Sequence, residues 1–156
     1  MPGVYLSWPF CAQKCTYCNF ASGVFPRETE SLYTQRLESE LRDAAWPWPP
    51  ETVYLGGGTP SQIPLDVLAR LLALIPGRPW AEATMEAAPG TFGPVEIAAW
   101  RQAGITRVSL GVQSFVDQEL RRTGRKHNAA VVAADVANLR AAGIEDFNID
   151  LIAGLA

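Results

Sequence analysis

A chain of 156 residues with 48% hydrophobic composition has the size of one domain and enough apolar side chains for a real core. Its formal net charge of −3 argues against a general affinity for nucleic acid or an anionic membrane surface, and no apolar run approaches the ~20 residues that span a bilayer. The N-terminus has no basic stretch followed by a signal-type hydrophobic region, so the expected compartment is the cytoplasm, where thiols stay reduced.

A first strand is expected from Val4 to Phe10, with Pro9 near its end, where a lost backbone donor is tolerated. Directly after it comes Cys11-Ala-Gln-Lys-Cys15-Thr-Tyr-Cys18, which holds all the cysteine in the chain. An odd number of thiols cannot form a closed disulfide set. Thiolates favour iron–sulfur clusters, zinc or copper(I), and a loop this tight can turn three sulfurs toward one object. No fourth ligand is nearby, so one position stays open, as it does in metal sites that carry out chemistry. On a four-iron cluster, three cysteines hold three irons and leave the fourth for a small molecule. A zinc site completed from afar, serving a binding module, is one alternative; three unrelated core cysteines is another.

Tyr33, Leu37, Leu41 and Ala44 then recur at helical spacing, opposite Arg36, Glu38, Glu40 and Arg42, with Thr29 or Ser31 as the expected cap. Trp46-Pro-Trp-Pro-Pro50 breaks that helix. Four further strands are expected over Thr52 to Leu55, Ala83 to Glu86, Arg107 to Gln113 and Phe147 to Ile152. Between them come helices over Leu65 to Ile75, Pro94 to Ala103 and Ala129 to Ala142, ended by Pro76-Gly77, Gly104 and Gly143 respectively. An internal repeat links Arg101 to Leu110 with Arg140 to Ile149: helix end, glycine, isoleucine, strand. Alternating strands and helices call for a parallel α/β sheet with helices as crossovers. The remaining tryptophans, Trp46, Trp48, Trp80 and Trp100, are expected to pack helices and loops against it.

In the fourth strand Val108, Leu110 and Val112 alternate with Ser109, Gly111 and Gln113; in the fifth, Ile149 and Leu151 alternate with Asn148 and Asp150. Alternate side chains face opposite sides of a strand, so one face is apolar and the other small or polar. A packed barrel fills its interior with branched aliphatics, so a polar interior indicates a ligand or water. The cysteines, Gly56-Gly-Gly-Thr-Pro60, Glu86, Gln113 and Asp150 all fall at or near the C-terminal ends of their strands, the rim where barrel active sites are built. Singly, the glycine run reads as a tight turn, Glu86 as a solvated acid, Gln113 as a core amide and Arg125 as a surface cation. Together they read as a binding set, in which glycine amides grip a carboxylate, Glu86 suits an ammonium and Arg125 a carboxylate. Asp150 is the least bland of them, because an unpartnered buried carboxylate is costly. His127 reads as an exposed loop residue, with haem ligation as the less favoured alternative.

The Cys-x3-Cys-x2-Cys loop, framed by Val4 to Phe10 and by Asn19-Phe20, closely resembles the radical S-adenosylmethionine (radical SAM) superfamily. That resemblance implies a [4Fe-4S] cluster on Cys11, Cys15 and Cys18. Its open iron would be chelated by the methionine moiety of SAM, which the reduced cluster cleaves to a 5'-deoxyadenosyl radical. More narrowly, six segments resemble the oxygen-independent coproporphyrinogen III oxidase group and, within it, the HemW-type haem chaperones. They are Tyr5 to Phe20, Tyr54 to Pro60, Glu86 to Thr91, Arg107 to Phe115, Gly124 to His127 and Asn148 to Leu155. By this resemblance the SAM contacts are Tyr5 and Tyr17, then Gly57, Gly58 and Thr59 of the glycine segment, then Glu86, Gln113, Arg125 and Asp150.

Phe20 stands where the oxidases carry a further cysteine, and the chain begins almost at the first strand; both features favour the chaperones. Ser7-Trp8 replaces a frequent His-hydrophobic pair and Ala88 replaces a usual Asn; both leave the cluster ligands intact and weigh against radical chemistry at a porphyrin. The resemblance therefore implies haem binding and delivery to an acceptor protein, with SAM cleavage powered by an electron donor. The alternative is oxidative decarboxylation of porphyrinogen propionates. The family continues into a sixth strand and a C-terminal domain, whereas this chain stops at Ala156. The expected architecture is thus a partial (β/α) barrel: residues 1–156 as the N-terminal part of a six-unit barrel, about five parallel strands with outer helices, cut before closure.

Overall fold

A computed structural model describes residues 1–154; Leu155, which closes the last of the six segments, lies outside the described residues. The strands are β1 (Gly3–Trp8), β2 (Thr52–Gly57), β3 (Glu82–Ala87), β4 (Arg107–Gln113) and β5 (Asp146–Leu151). The helices are α1 (Arg27–Asp43), α2 (Leu65–Ala73), α3 (Pro94–Gln102), α4 (Asp117–Arg122) and α5 (Ala129–Ala141). The strands form one open sheet in the order β1-β2-β3-β4-β5, every pair parallel. This is the expected α/β architecture, a barrel wall that does not close on itself.

Period-two patterning determines which face meets the helices. Val53 and Leu55 of β2, Ala83 and Met85 of β3, and Val108 and Leu110 of β4 are buried on one face. They form a single core with Leu68, Leu71 and Leu72 of α2, Ile97 and Trp100 of α3, and Leu139 of α5. Each large aliphatic so buried contributes on the order of 1.5–3 kcal/mol. The opposite face is polar, and the register lines its residues up in rows: Tyr5 beside Tyr54, and Glu86 beside Ser109 beside Asn148.

Several expectations are corrected. Helix α1 begins at Arg27 with no side-chain cap, because the Pro26 carbonyl accepts the amides of Thr29 and Glu30 and so places both Thr29 and Ser31 inside the helix. Strand β1 ends at Trp8, since Pro9 has no amide to continue the ladder, and Phe10 bridges to Gly23 instead. Trp80 and Trp100 are buried and Trp46 is half-buried, but Trp48 is 70% exposed in its proline-rich loop. On β5 the apolar residues Ile149 and Leu151 are exposed, because no described helix covers that end of the sheet. Helix α4 was not foreseen, although its sequence carries a signal: Asp117 and Glu119 in the first turn, Arg121 and Arg122 in the last, and Gly124 just beyond.

Candidate functional site

The cysteine loop is stapled at its base. The Cys11 amide donates to the Gly23 carbonyl at 3.0 Å and the Gly23 amide to the Pro9 carbonyl at 2.9 Å. Inside, the Cys18 amide donates to the Cys15 carbonyl at 3.1 Å, and the Thr16 amide reaches the Thr123 carbonyl at 3.4 Å, docking the loop on the segment after α4. Three free, half-buried thiols result, and all three line a cavity of about 550 Å³ above the polar face of the sheet. Burial pushes the Cys11 thiol up, and the neighbouring Cys18 and Cys15 push it further, while Lys14 pulls the other way. Three adjacent thiolates repel unless cationic metal lies between them. Among the described residues, no three His, Cys, Asp or Glu side chains are placed to share one metal ion.

The remaining wall comes from the strand ends. Gly57, Gly58, Thr59, Glu86, Gln113, Arg125, Tyr17 and Asp150 line the same cavity as the cysteines. Tyr5 does not line it: its ring is 59% exposed and stacks on Tyr54 at 5.7 Å. Both oxygens of Glu86 are held, Oε1 by the Tyr54 hydroxyl and Oε2 by the Gly57 amide, each at 3.0 Å. Burial and then the Glu86 charge push the Tyr54 hydroxyl up to about 12, so it stays a donor. Asp150 is exposed to the open cavity rather than buried, and accepts from Ser109 Oγ at 2.8 Å and Asn148 Nδ2 at 2.6 Å. Arg125 gives two N–H groups to the Tyr17 hydroxyl oxygen, at 3.1 and 2.8 Å. Burial raises the Tyr17 pKa and Arg125 opposes the rise; Cys15 is the other polar neighbour of that hydroxyl.

The glycine segment works differently from expectation. The Gly57 amide is spent on Glu86, the Gly58 amide on the Trp8 carbonyl at 2.7 Å, and the Thr59 amide on the Phe10 carbonyl at 2.9 Å. These amides are therefore not free to grip a carboxylate. Glycine is required here for close approach: a Cβ on Gly58 would lie 2.4 Å from the Phe10 carbonyl oxygen. The segment fastens the residues just before Cys11 to the end of β2.

Sequence reasoning missed Tyr54, Ser109 and Asn148, the partners that orient Glu86 and Asp150; their signal was membership of the polar alternation. It also missed Ser61, whose hydroxyl accepts the Ala88 amide at 3.2 Å and pairs with Thr91 at 2.7 Å, tying the turn after β2 to the loop after β3. His127 is buried, not exposed, with Nε2 2.9 Å from the Val112 carbonyl. A carbonyl only accepts, so Nε2 carries the proton and is not free to ligate a haem iron. Burial lowers the His127 pKa.

Residues 5–156 match the Radical SAM superfamily. The chain belongs to the radical SAM superfamily. Its relatives include the heme chaperone HemW of Escherichia coli (strain K12), 37% identical over 160 residues, and that of Mycobacterium tuberculosis (strain ATCC 25618 / H37Rv), 40% identical over 164 residues. Each of these alignments takes in 97% of this chain but only 42% of the relative, so the chain spans about two fifths of the curated proteins it matches. Among solved structures, coproporphyrinogen III oxidase (HemN) from Escherichia coli, titled a radical SAM enzyme, superposes with a TM-score of 0.89 at 28% identity, over 99% of this chain and 38% of that one. Superfamily membership implies a [4Fe-4S] cluster and SAM. The donor set suits both: three thiols line the cavity for the cluster, and carboxylates, an amide and a guanidinium line it for a zwitterionic ligand.

Proposed function

We propose that this chain is the cluster- and SAM-binding part of a HemW-like haem chaperone, acting in the cytoplasm as the N-terminal portion of a six-unit barrel protein. The observation that carries the reading is the convergence of Cys11, Cys15 and Cys18 with Glu86, Gln113, Arg125 and Asp150 on one cavity. In this reading the three thiols hold three irons of a [4Fe-4S] cluster. When bound and reduced, the cluster supplies the electron that cleaves SAM. Glu86, held at both oxygens, faces the ligand ammonium; Arg125, braced on Tyr17, faces its carboxylate; and Gln113 and Asp150 take hydroxyl or amine donors farther along. Tyr5 takes part through its stack on Tyr54 or when the ligand extends past the cavity wall. Haem binding and transfer to an acceptor protein are proposed on the similarity to HemW proteins.

A second reading, oxidative decarboxylation of a porphyrinogen, is favoured by the close superposition on HemN. A zinc-held binding module is the weaker alternative, because the loop supplies three thiols and a structural zinc site is closed by four protein ligands. The test is anaerobic reconstitution of the full-length gene product with iron and sulfide, followed by SAM, dithionite and either haem or coproporphyrinogen. Cluster formation with haem binding and no porphyrinogen turnover supports the chaperone; porphyrinogen turnover with deoxyadenosine release supports the oxidase. Zinc content without cluster absorbance defeats both.

A further inference from the structure

Gln113 is the one non-glycine residue at positive φ (71°) among those described. It is the apex of a tight three-residue turn, in which the Ser114 amide donates back to the Val112 carbonyl at 2.9 Å. A turn of this hand is rare and strained, and costs of order 1–3 kcal/mol unless its surroundings fix it. The β4–β5 pairing slips between Leu110 and Gln113, so Val112 stands outside the regular ladder, which resumes where the Ile152 amide donates to the Gln113 carbonyl at 2.9 Å. The second group on the Val112 carbonyl is His127 Nε2, from a ring that is 8% exposed. Two residues earlier in the same loop, Arg125 is anchored by its amide on the Leu120 carbonyl at 2.8 Å and by its guanidinium on Tyr17 of the cysteine loop. His127 thus ties the loop that presents Arg125 to the peptide that turns Gln113 toward the cavity.

We propose that His127 is a positioning residue: by holding the Val112 carbonyl it keeps Gln113 in its left-handed turn and sets that amide against the Arg125 guanidinium for a ligand lying between them. This rests on the SAM-binding reading. Without the imidazole, the Val112 carbonyl keeps only the Ser114 amide, so the peptide between Val112 and Gln113 can turn while the Gln113 carbonyl stays paired to Ile152; Gln113 then relaxes to negative φ, and its amide swings off the cavity wall. A general packing role would lower affinity whatever residue stood at 113. A positioning role acts through Gln113, and its effect vanishes once that amide is gone.

The experiment measures SAM affinity at equilibrium in the anaerobically reconstituted protein, with iron content checked for each variant. His127→Ala is expected to weaken SAM about tenfold, and His127→Gln, whose amide nitrogen can replace Nε2, to restore affinity to within about threefold. In a Gln113→Ala background, His127→Ala is expected to cost less than about twofold. An equal loss in both backgrounds, or no loss from His127→Ala, overturns the proposal. If cluster-loaded protein binds no SAM, the functional reading fails, and amide hydrogen exchange then decides the strut. Faster exchange at 113–115 and 124–127 in His127→Ala supports it, and unchanged exchange overturns it.

Discussion

Glu86 shows how single residues set the chemistry of the cavity. A carboxylate with one donor on each oxygen cannot rotate, so its charge points where a ligand ammonium would sit. Removing the Tyr54 hydroxyl takes away one charge-assisted bond, and Tyr54→Phe is expected to weaken SAM about tenfold by equilibrium binding with cluster content unchanged. The sign of the Tyr54 pH effect follows from its raised pKa. The stability linked to its proton is complete below the ordinary value of 10 and is lost as pH rises through about 12. Thermal scans across that alkaline window are expected to fall less steeply for Tyr54→Phe. At the cysteines the expectation is all-or-none: Cys15→Ala should bring bound iron and cluster absorbance near background while far-ultraviolet dichroism is unchanged, because the thiols line a cavity and are not part of the core.

Whole elements are held in place by a few close approaches. The turn after β2 can lie against the residues before Cys11 only because Gly58 has no side chain. Gly58→Ala forces backbone apart, with an expected loss of about 1–3 kcal/mol in denaturant unfolding and poor cluster assembly in the same sample. Helix α5 is tied to the loop after β3 by Asp135, buried, whose Oδ2 accepts the Gly90 amide at 2.8 Å. Burial raises the Asp135 pKa above its ordinary 3.8, so the stability linked to its proton is present below that value and declines as pH rises through the folded one. Asp135→Asn keeps an acceptor without the charge, and its melting temperature at neutral pH is expected to equal or exceed that of the parent. Asp135→Ala should lose about 1–3 kcal/mol, by leaving the Gly90 amide unpaired.

Across the whole molecule, one wall of a barrel presents a polar inner face and an apolar outer face. Parallel sheets are ordinarily covered on both faces, yet Ile149 and Leu151 on β5 are 37% and 59% exposed. The 156-residue polypeptide is therefore expected to self-associate with rising concentration in light scattering, and Leu151→Lys to reduce that association. Among the described residues no helix is long and apolar enough to cross a membrane. The sequence by itself determined the strand–helix alternation, the core face of β4 and the trio of thiols, because period-two patterning and cysteine spacing are local properties of the chain. Only the tertiary structure decided that the glycine amides are already taken, that Asp150 is held by Ser109 and Asn148, and that His127 is buried against the Val112 carbonyl. The first and last depend on which backbone groups residues distant in sequence meet, and a carbonyl or amide on a neighbouring loop leaves no pattern in the side chains that reach it; the bond from Ser109 to Asp150 forms only once β4 and β5 lie side by side.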